Sequence, residues 1–447
     1  MMPLAVTMLL AADLAAPAWK PGVPLMRDGA QLTYDGRPFA AVGVNKHELL
    51  EQYLAKEIRG GDQEATAART AAKRSLELLS EAGITVLRFR ACPFWPTWLQ
   101  RTFRSEDAAV RAASWAAFDE MLDDCDRSGI RVIPSLAWNL AVFPDLANES
   151  LRDLVANPDS RSRALLREWS EEVVGRYRNR DTVLFWELGN EWNLYADLRP
   201  MYAGKGVLEG IDPPGAKELL GGPVVRDGRN NFSSDELAGL TRDLCRLIKQ
   251  VDPRHLVGTG FSAPRPAAWH LWLGSLRRAT AMDWTEDSPE QQADYLRLIT
   301  PPEVDLVSLH YYGEGRGVLS LRSMATLKQA ADSLATPVYI GETGLGPDVF
   351  GEPVYDKPQA VASLQALLRA WREIGFPLAL AWTWDEWGEP SHEPVLRPDT
   401  QPKAVEVLRA ANEAAQAGEP RTPGADALTT RLEEIAAQLG ALRPPGK

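Results

Sequence analysis

Short apolar runs alternate with longer amphipathic segments along most of the chain, from about residue 30 to residue 416. The short runs are rich in β-branched residues, and each is followed by a segment with the apolar spacing of a helix. This alternation is typical of strand–helix units that build a parallel sheet. The eight predicted strands lie at 39–45, 84–90, 130–138, 182–188, 255–261, 304–311, 336–342 and 377–384.

Eight strand–helix units are the number that closes a (β/α)8 barrel, and this α/β TIM barrel is the fold that the pattern predicts. A doubly wound sheet is the alternative. It would normally carry a glycine-rich phosphate turn after its first strand, and the sequence GVNKHELL at 43–50 has none. The predicted helices lie near 64–82, 107–128, 159–178, 235–250, 287–299, 320–334, 357–374 and 402–416.

A single catalytic domain is expected over residues 30–416, with a different kind of sequence on each side. Residues 1–29 contain an apolar stretch and an Ala-Pro-Ala run but no basic start. This composition favours an atypical export signal slightly over a plain terminal tail. An export signal implies a secreted or periplasmic protein, whereas a plain tail is compatible with the cytoplasm.

The C-terminal segment, residues 417–447, reads as a linker followed by a short amphipathic helix. Two heptads are too few for a convincing coiled coil, so a helix docked on the barrel is favoured over an oligomerisation helix. The oligomeric state stays open. The apolar stripe of this helix is formed by Leu428, Leu432, Ile435, Leu439 and Leu442.

The longest interruption of the strand–helix pattern lies at about 195–231 and contains the runs PPG and GGP. Long loops on a compact domain usually serve a function. This loop leaves the fourth strand, so it is predicted to form a wall of the cleft.

Composition narrows the class of ligand. The net charge of -12 argues against a nucleic acid or an anionic membrane as partner and suits a neutral substrate. Three widely spaced cysteines and five scattered histidines form no metal-ligand pattern, so neither a metal nor another cofactor is expected. After the N-terminus, no segment reaches the roughly 18 apolar residues of a membrane span. Fifteen tryptophans exceed what packing needs, so some are expected to face a ligand.

Polar side chains gather at the ends of the predicted strands, where a (β/α)8 barrel has its active site. Two are carboxylates on opposite sides of the mouth: Glu191 in FWELGNEWN and Glu342 in YIGETG. Glycoside hydrolysis needs such a pair, because one carboxyl group protonates the leaving oxygen while the other attacks or activates water. The other candidates for the site are Asn45, His47, Arg88, Asn139, Asn190, His310, Tyr312, Trp382 and Trp384.

These side chains have different expected tasks. Arg88 and Tyr312, if they reach Glu342, would keep that carboxylate ionised and suited to nucleophilic attack. Asn190 would donate a hydrogen bond to a sugar hydroxyl, and Trp382 would offer a flat apolar face to a sugar ring.

The strand-end motifs resemble those of glycoside hydrolase family five, the cellulase and mannanase family. The matching pieces are YDGRPFAAVGVN, the arginine of LRF, WELGNE, HYY, YIGETG and AWTW, which together span roughly residues 30–410. The resemblance implies a retaining mechanism through a covalent glycosyl-enzyme, with Glu191 as acid/base and Glu342 as nucleophile. The residues that match the family's supporting groups are Arg88, Asn190, His310, Tyr312 and, as the sugar platform, Trp382.

The leading hypothesis is therefore a retaining glycosidase for a neutral β-linked oligo- or polysaccharide of the glucan or mannan type, with its carboxyl groups about 5–5.5 Å apart. The first strand, GVNKHELL, is also similar to the barrel of family-two β-galactosidases, and the third ends in AWN instead of a histidine-rich sequence. The alternatives are a β-galactosidase-like exo-glycosidase and a non-catalytic carbohydrate-binding barrel.

Two sets of side chains near the strand ends are expected to be partly or wholly structural. Glu187 lies within the fourth strand and is predicted to pair with a buried arginine. About half of the tryptophans close to strand ends are expected to pack rather than bind. These are Trp95, Trp98, Trp192, Trp269, Trp272, Trp284 and Trp387.

Overall fold

The structure, a computed structural model, describes residues 19–198, 228–313, 319–344, 357–384, 396, 399, 401–418 and 424–442. Most of the N-terminal segment, most of the 195–231 loop and Trp387 lie outside the described residues.

Eight parallel strands form the centre of the molecule, so the predicted (β/α)8 barrel is confirmed. Their order around the sheet is β8-β7-β6-β5-β4-β11-β10-β9. A bridge between Gly258 and Leu306 joins the two edges of this sheet. The barrel strands are β4 (Ala41–Asn45), β5 (Val86–Arg90), β6 (Arg131–Ala137), β7 (Trp186–Gly189), β8 (Val257–Gly258), β9 (Val307–Tyr311), β10 (Val338–Thr343) and β11 (Leu378–Ala381).

Helices surround the barrel, and several begin at a serine whose hydroxyl accepts a backbone N–H of the first turn, as at Ser150, Ser233 and Ser288. In the described part of the chain, six helices between strands were not predicted. Five of them have only five or six residues, too few for a helical period to stand out, and the sixth is the nine-residue helix Ala268–Leu276. The helices lie at Leu49–Tyr53, Ala55–Arg59, Asp62–Glu81, Pro96–Arg101, Ala108–Arg127, Val142–Ala147, Leu151–Ala156, Arg161–Tyr177, Ser234–Val251, Ala268–Leu276, Pro289–Ile299, Leu321–Ser333, Pro358–Ile374, Pro402–Gln416 and Ala425–Leu442.

An antiparallel sheet precedes the barrel and packs at the base of its interior. Its strands are β1 (Leu25–Asp28), β2 (Gln31–Tyr34) and β3 (Arg37–Pro38), and it begins five residues before the predicted start of the domain at residue 30. Leu25 and Leu32 are buried in the same apolar cluster as the inward-facing barrel residues. Its turns contain Asp28-Gly29 and Asp35-Gly36, and Asp-Gly is a strong hairpin signal. The sheet was not predicted, because the sequence analysis relied on the longer apolar runs.

The helix Ala425–Leu442 docks on the outside of the barrel. Leu432, Ile435 and Leu439 are buried, and the helix contacts the helices Leu321–Ser333 and Pro358–Ile374. Most of the predicted apolar stripe is thus covered by this chain itself. In the described part of the chain, no helix has both the length and the hydropathy needed to cross a bilayer.

Candidate active site

Arg88 lies at the centre of the barrel mouth and is completely buried. Its Nε and Nη2 atoms contact Glu187 at 2.9 and 2.7 Å. Its Nη1 atom donates to Asn45 at 3.0 Å and to Glu342 at 2.7 Å, and Nη2 donates to Asn190 at 2.8 Å. Each of the three guanidinium nitrogens therefore donates at least one hydrogen bond, and Glu187 also lies within ion-pair distance of Nη2. Glu187 is the partner of a buried arginine, which was its predicted role.

An irregularity in β10 directs Glu342 into the mouth. The register of β10 against β9 and against β11 shifts between Ile340 and Thr343. Tyr339 and Glu342 are three residues apart, so a regular strand would point them to opposite faces. Instead, the Tyr339 hydroxyl donates to Glu187 at 2.6 Å, and Glu342 accepts from Arg88. Such irregularities re-aim side chains beside active sites. The Tyr312 hydroxyl donates to the second oxygen of Glu342.

Glu191 follows β7 in a left-handed backbone conformation with φ of 55° and ψ of 25°, which is uncommon for a residue other than glycine. Its N–H donates to the carbonyl of Gly260 at 2.9 Å. Gly260 must be a glycine, because a Cβ there would lie 1.7 Å from the carbonyl oxygen of Gly189. The tight contact between the loops after β7 and β8 therefore fixes the position of Glu191. Its side chain accepts from Ser262 and lies 3.0 Å from Nδ1 of His310.

The two glutamates and His310 form a compact group. A carboxylate oxygen of Glu191, one of Glu342 and a ring nitrogen of His310 lie within 4.8 Å of one another. Among the described residues, this group is also the one compact enough to hold a metal ion. Arg88 already places a positive charge 2.7 Å from Glu342, so the group has a counterion within the protein.

Electrostatics distinguish the two carboxyl groups. Burial raises the pKa of both, and the Arg88 charge opposes this rise at each of them. Glu342 accepts hydrogen bonds from two strong donors, Arg88 and Tyr312, whereas Glu191 accepts from Ser262 and faces His310. Glu342 therefore has the stronger hydrogen-bond donors to stabilise its anion. Burial lowers the pKa of His310 to about 4, so this ring is neutral at neutral pH.

Aromatic rings line the opposite side of the mouth. The His47 ring stacks on Trp382 with a centroid distance of 4.8 Å and an angle of 7°. Burial lowers the pKa of His47 to about 3, so the stacked imidazole is neutral. Trp138 lies 6.0 Å from Trp382 and 4.1 Å from Cζ of Arg88. Trp138 was not among the predicted site residues, although the replacement of a histidine-rich ending by AWN was a visible signal.

Three predicted site residues have structural surroundings. Both polar atoms of the Asn139 side chain bond backbone groups, the carbonyl of Phe94 and the N–H of Ala141, so it braces a loop. Trp384 is fully buried. Asn45 donates to the carbonyl of Gly341 while accepting from Arg88 and is also fully buried, so it can orient Arg88 but cannot touch a substrate.

The remaining tryptophans in the described residues differ in their exposure. Trp192 is buried, donates to the carbonyl of Ala137 and fills the space beside Gly189, where a Cβ would clash with its ring. Trp95, Trp98, Trp269 and Trp272 are partly buried, whereas Trp284 is 52% exposed.

Comparison with known families gives one match. The sequence model described as cellulase (glycosyl hydrolase family 5) matches residues 54–386 of the chain. A search of curated proteins found no match.

Solved structures with the same fold are distant in sequence. An endo-1,4-β-mannanase from Rhizomucor miehei has a TM-score of 0.59 and 16% identity, covering 88% of this chain and 99% of that chain. An endo-β-1,4-mannanase from Thermotoga petrophila has a TM-score of 0.55 and 16% identity, with coverages of 86% and 79%. A glycoside hydrolase family 5 mannosidase from Rhizomucor miehei has a TM-score of 0.54 and 13% identity, with coverages of 92% and 98%.

Proposed function

Because the chain belongs to glycosyl hydrolase family 5 and is a glycoside hydrolase, we propose that it cleaves a neutral β-linked glycan with retention, using Glu191 as acid/base and Glu342 as nucleophile. The separation of at most 4.8 Å between oxygens of the two carboxylates carries this proposal. Retaining enzymes hold their carboxyl groups about 5–5.5 Å apart, whereas inverting enzymes leave about 6.5–9.5 Å for a water molecule.

In the first step, an oxygen of Glu342 attacks the anomeric carbon while the glycosidic C–O bond breaks. The leaving oxygen takes the proton of Glu191, and the sugar remains attached to Glu342 as an ester. Arg88 and Tyr312 hold Glu342 as an anion and aim it, which supports its role as the attacking group.

In the second step, Glu191 acts as a base. It takes a proton from water, the water oxygen bonds to the anomeric carbon, and the ester to Glu342 breaks, which restores the carboxylate. Neutral His310 keeps Glu191 in position 3.0 Å away. The Arg88 contact to the Asn190 oxygen leaves the Asn190 amino group to donate to a sugar hydroxyl.

Substitution of each glutamate separately tests the pair. Glu342→Gln is expected to reduce kcat at least 10⁴-fold on every substrate, because no nucleophile remains. Glu191→Ala is expected to retain formation of the glycosyl-enzyme from a dinitrophenyl glycoside, whose leaving group needs no proton. Added azide should then speed turnover of Glu191→Ala and yield a β-glycosyl azide. Near wild-type hydrolysis by either variant, with circular dichroism showing a folded protein, would contradict the assignment.

The sugar is the second part of the proposal. The similar structures named above are mannanases and a mannosidase, so β-mannan and β-1,4-manno-oligosaccharides are the first substrates to test, with β-glucans beside them. Products are identified by chromatography, and early products of mixed length would indicate internal cleavage. An aryl β-galactoside in the same panel tests the exo-acting alternative. Turnover of α-linked glycans alone would overturn the β-glycan assignment.

A further inference from the structure

Trp138 follows the last residue of β6, Ala137, and its ring lies between two parts of the candidate site. One neighbour is the guanidinium of Arg88, whose Cζ is 4.1 Å from the ring centroid. The others are the rings of Trp382 and His47, with centroids 6.0 and 6.2 Å away and tilts of 32° and 35°. Trp138 therefore touches the arginine that binds Glu342 and the two stacked rings across the mouth.

The contact between the Trp138 ring and Arg88 is a cation–π contact, which differs from the hydrogen bonds that the guanidinium makes. Each nitrogen of this guanidinium already donates to an acceptor, namely Glu187, Asn45, Glu342 or Asn190. The guanidinium is completely buried, and the Trp138 ring lies against its Cζ atom. A cation over an aromatic face is stabilised further when both are desolvated. The indole thus keeps water away from the Arg88–Glu342 ion pair, which strengthens in a medium of lower dielectric constant.

Trp138 is poorly placed to bind a sugar itself. Only 7% of it is exposed, since Arg88 covers it on one side and Trp382 and His47 lie beside it. A ring enclosed in this way can hold its neighbours in fixed relative positions, but it has no free face on which a pyranose could stack.

We propose that Trp138 is a positioning residue that fixes Arg88, and through it Glu342, relative to the Trp382 platform. This inference rests on the proposed roles of Glu342 and Trp382. Loss of the ring would let Arg88 tilt and admit water to the ion pair, so the nucleophile would be less well aimed in the transition state while substrate binding changed little.

Trp138→Leu and Trp138→Phe separate positioning from plain packing. Trp138→Leu is expected to lower kcat at least tenfold with KM changed less than threefold. Trp138→Phe keeps an aromatic face and is expected to retain kcat within threefold of wild type. Trp138→Met gives the same comparison should the leucine variant fail to fold, because the unbranched, flexible methionine side chain adapts to an irregular space without a ring.

The control is Trp115→Leu. Trp115 also lies beneath an arginine, with Cζ of Arg176 5.3 Å from its ring, but it belongs to the outer helix Ala108–Arg127. This variant is expected to lose thermal stability and keep kcat. A kcat of Trp138→Leu within twofold of wild type, a change in KM alone, or an equal loss in Trp138→Phe would overturn the inference. Glu342→Gln is measured beside them, and residual high activity in that variant would instead overturn the proposed function.

Discussion

At the scale of single residues, the site depends on the geometry of one guanidinium. Arg88 binds Glu187 on one edge and Glu342 on another, and it orients the side-chain oxygens of Asn45 and Asn190. An ammonium group has three donors arranged around a point, so it cannot satisfy a planar set of four partners. The arrangement therefore requires arginine and not merely a positive charge.

Arg88→Lys is expected to lower kcat at least 100-fold, because Glu342, the proposed nucleophile, loses a fixed donor. Each buried acceptor left without its donor should also cost about 1–3 kcal/mol of unfolding free energy. Steady-state kinetics and urea unfolding measure the two effects. Arg69→Lys is the control, since Arg69 bonds Glu120 and a backbone carbonyl between outer helices and should leave kcat unchanged. A lysine variant with wild-type kcat would show that charge alone suffices.

The pH dependence follows from the raised pKa of Glu191. Burial raises this pKa, so the carboxyl group stays protonated above the usual range of a glutamate. If Glu191 is the proposed acid, its acid catalysis is expected to be lost as the pH rises through the raised pKa. The alkaline fall of kcat/KM should be present with an alkyl glycoside and absent with a dinitrophenyl glycoside of the same sugar. The same alkaline fall with both substrates would assign it to another group.

The sequence predicted which strand ends carry the polar groups, because the alternation of strands and helices fixes where each strand stops. It offered Arg88 and Tyr312 as candidate partners of Glu342, and both donate hydrogen bonds to it. It could not reveal that both ends of the Asn139 amide bond to backbone, or that Trp384 has no exposed face. Those facts depend on contacts between segments that are distant in sequence, and a local sequence pattern does not report such contacts.

At the scale of elements, the end of β10 packs closely against β9. Gly341 lies against β9, and a Cβ there would be 2.4 Å from Oγ of Ser308 and 2.7 Å from Nε2 of His310. Since His310 is buried and faces Glu191, a displaced imidazole would move the proposed acid/base. The glycine in YIGETG is thus required by the approach of the neighbouring strand.

Gly341→Ala is expected to lower kcat about tenfold or more and to destabilise the fold by about 1–3 kcal/mol, the usual cost of overpacking a core. The control is Gly175→Ala in the helix Arg161–Tyr177, where the nearest atom to a new Cβ is Val251 Cγ1 at 3.7 Å. That variant should gain about 0.5–1 kcal/mol, because alanine is the better helix former. Kinetics and thermal unfolding of both variants provide the comparison. Unchanged kcat in Gly341→Ala would mean that His310 can move without consequence.

The ends of a strand were predictable where the strand pairs along the whole of its apolar run, and they were not predictable where tertiary contacts end the pairing earlier. The third strand was predicted over 130–138 and runs Arg131–Ala137, whereas the fifth was predicted over 255–261 and pairs only at Val257–Gly258. In the fifth, the left-handed Gly260 turns the chain towards Glu191 and ends the strand early. The contact between Gly260 and Glu191 therefore makes β8 shorter than the apolar run predicted.

At the scale of the whole molecule, the barrel is covered at its base by β1–β3 and on one side by the helix Ala425–Leu442. Both additions bury apolar residues of sequences that lie outside the eight strand–helix units. The C-terminal helix rests on two outer helices, so its contribution should concern stability and not chemistry.

Ile435→Ala tests that division. Ile435 lies on the buried face of the C-terminal helix and is fully buried. Truncating its side chain should cost about 2–5 kcal/mol of unfolding free energy. Glu433→Ala, on the exposed side of the same helix, should change this free energy by less than about 0.5 kcal/mol. Both variants should keep wild-type kcat and KM at temperatures where they are folded. A loss of kcat in Ile435→Ala at full folding would show that the helix also reaches the active site, and a change in oligomeric state on gel filtration would make its apolar stripe an interface between chains.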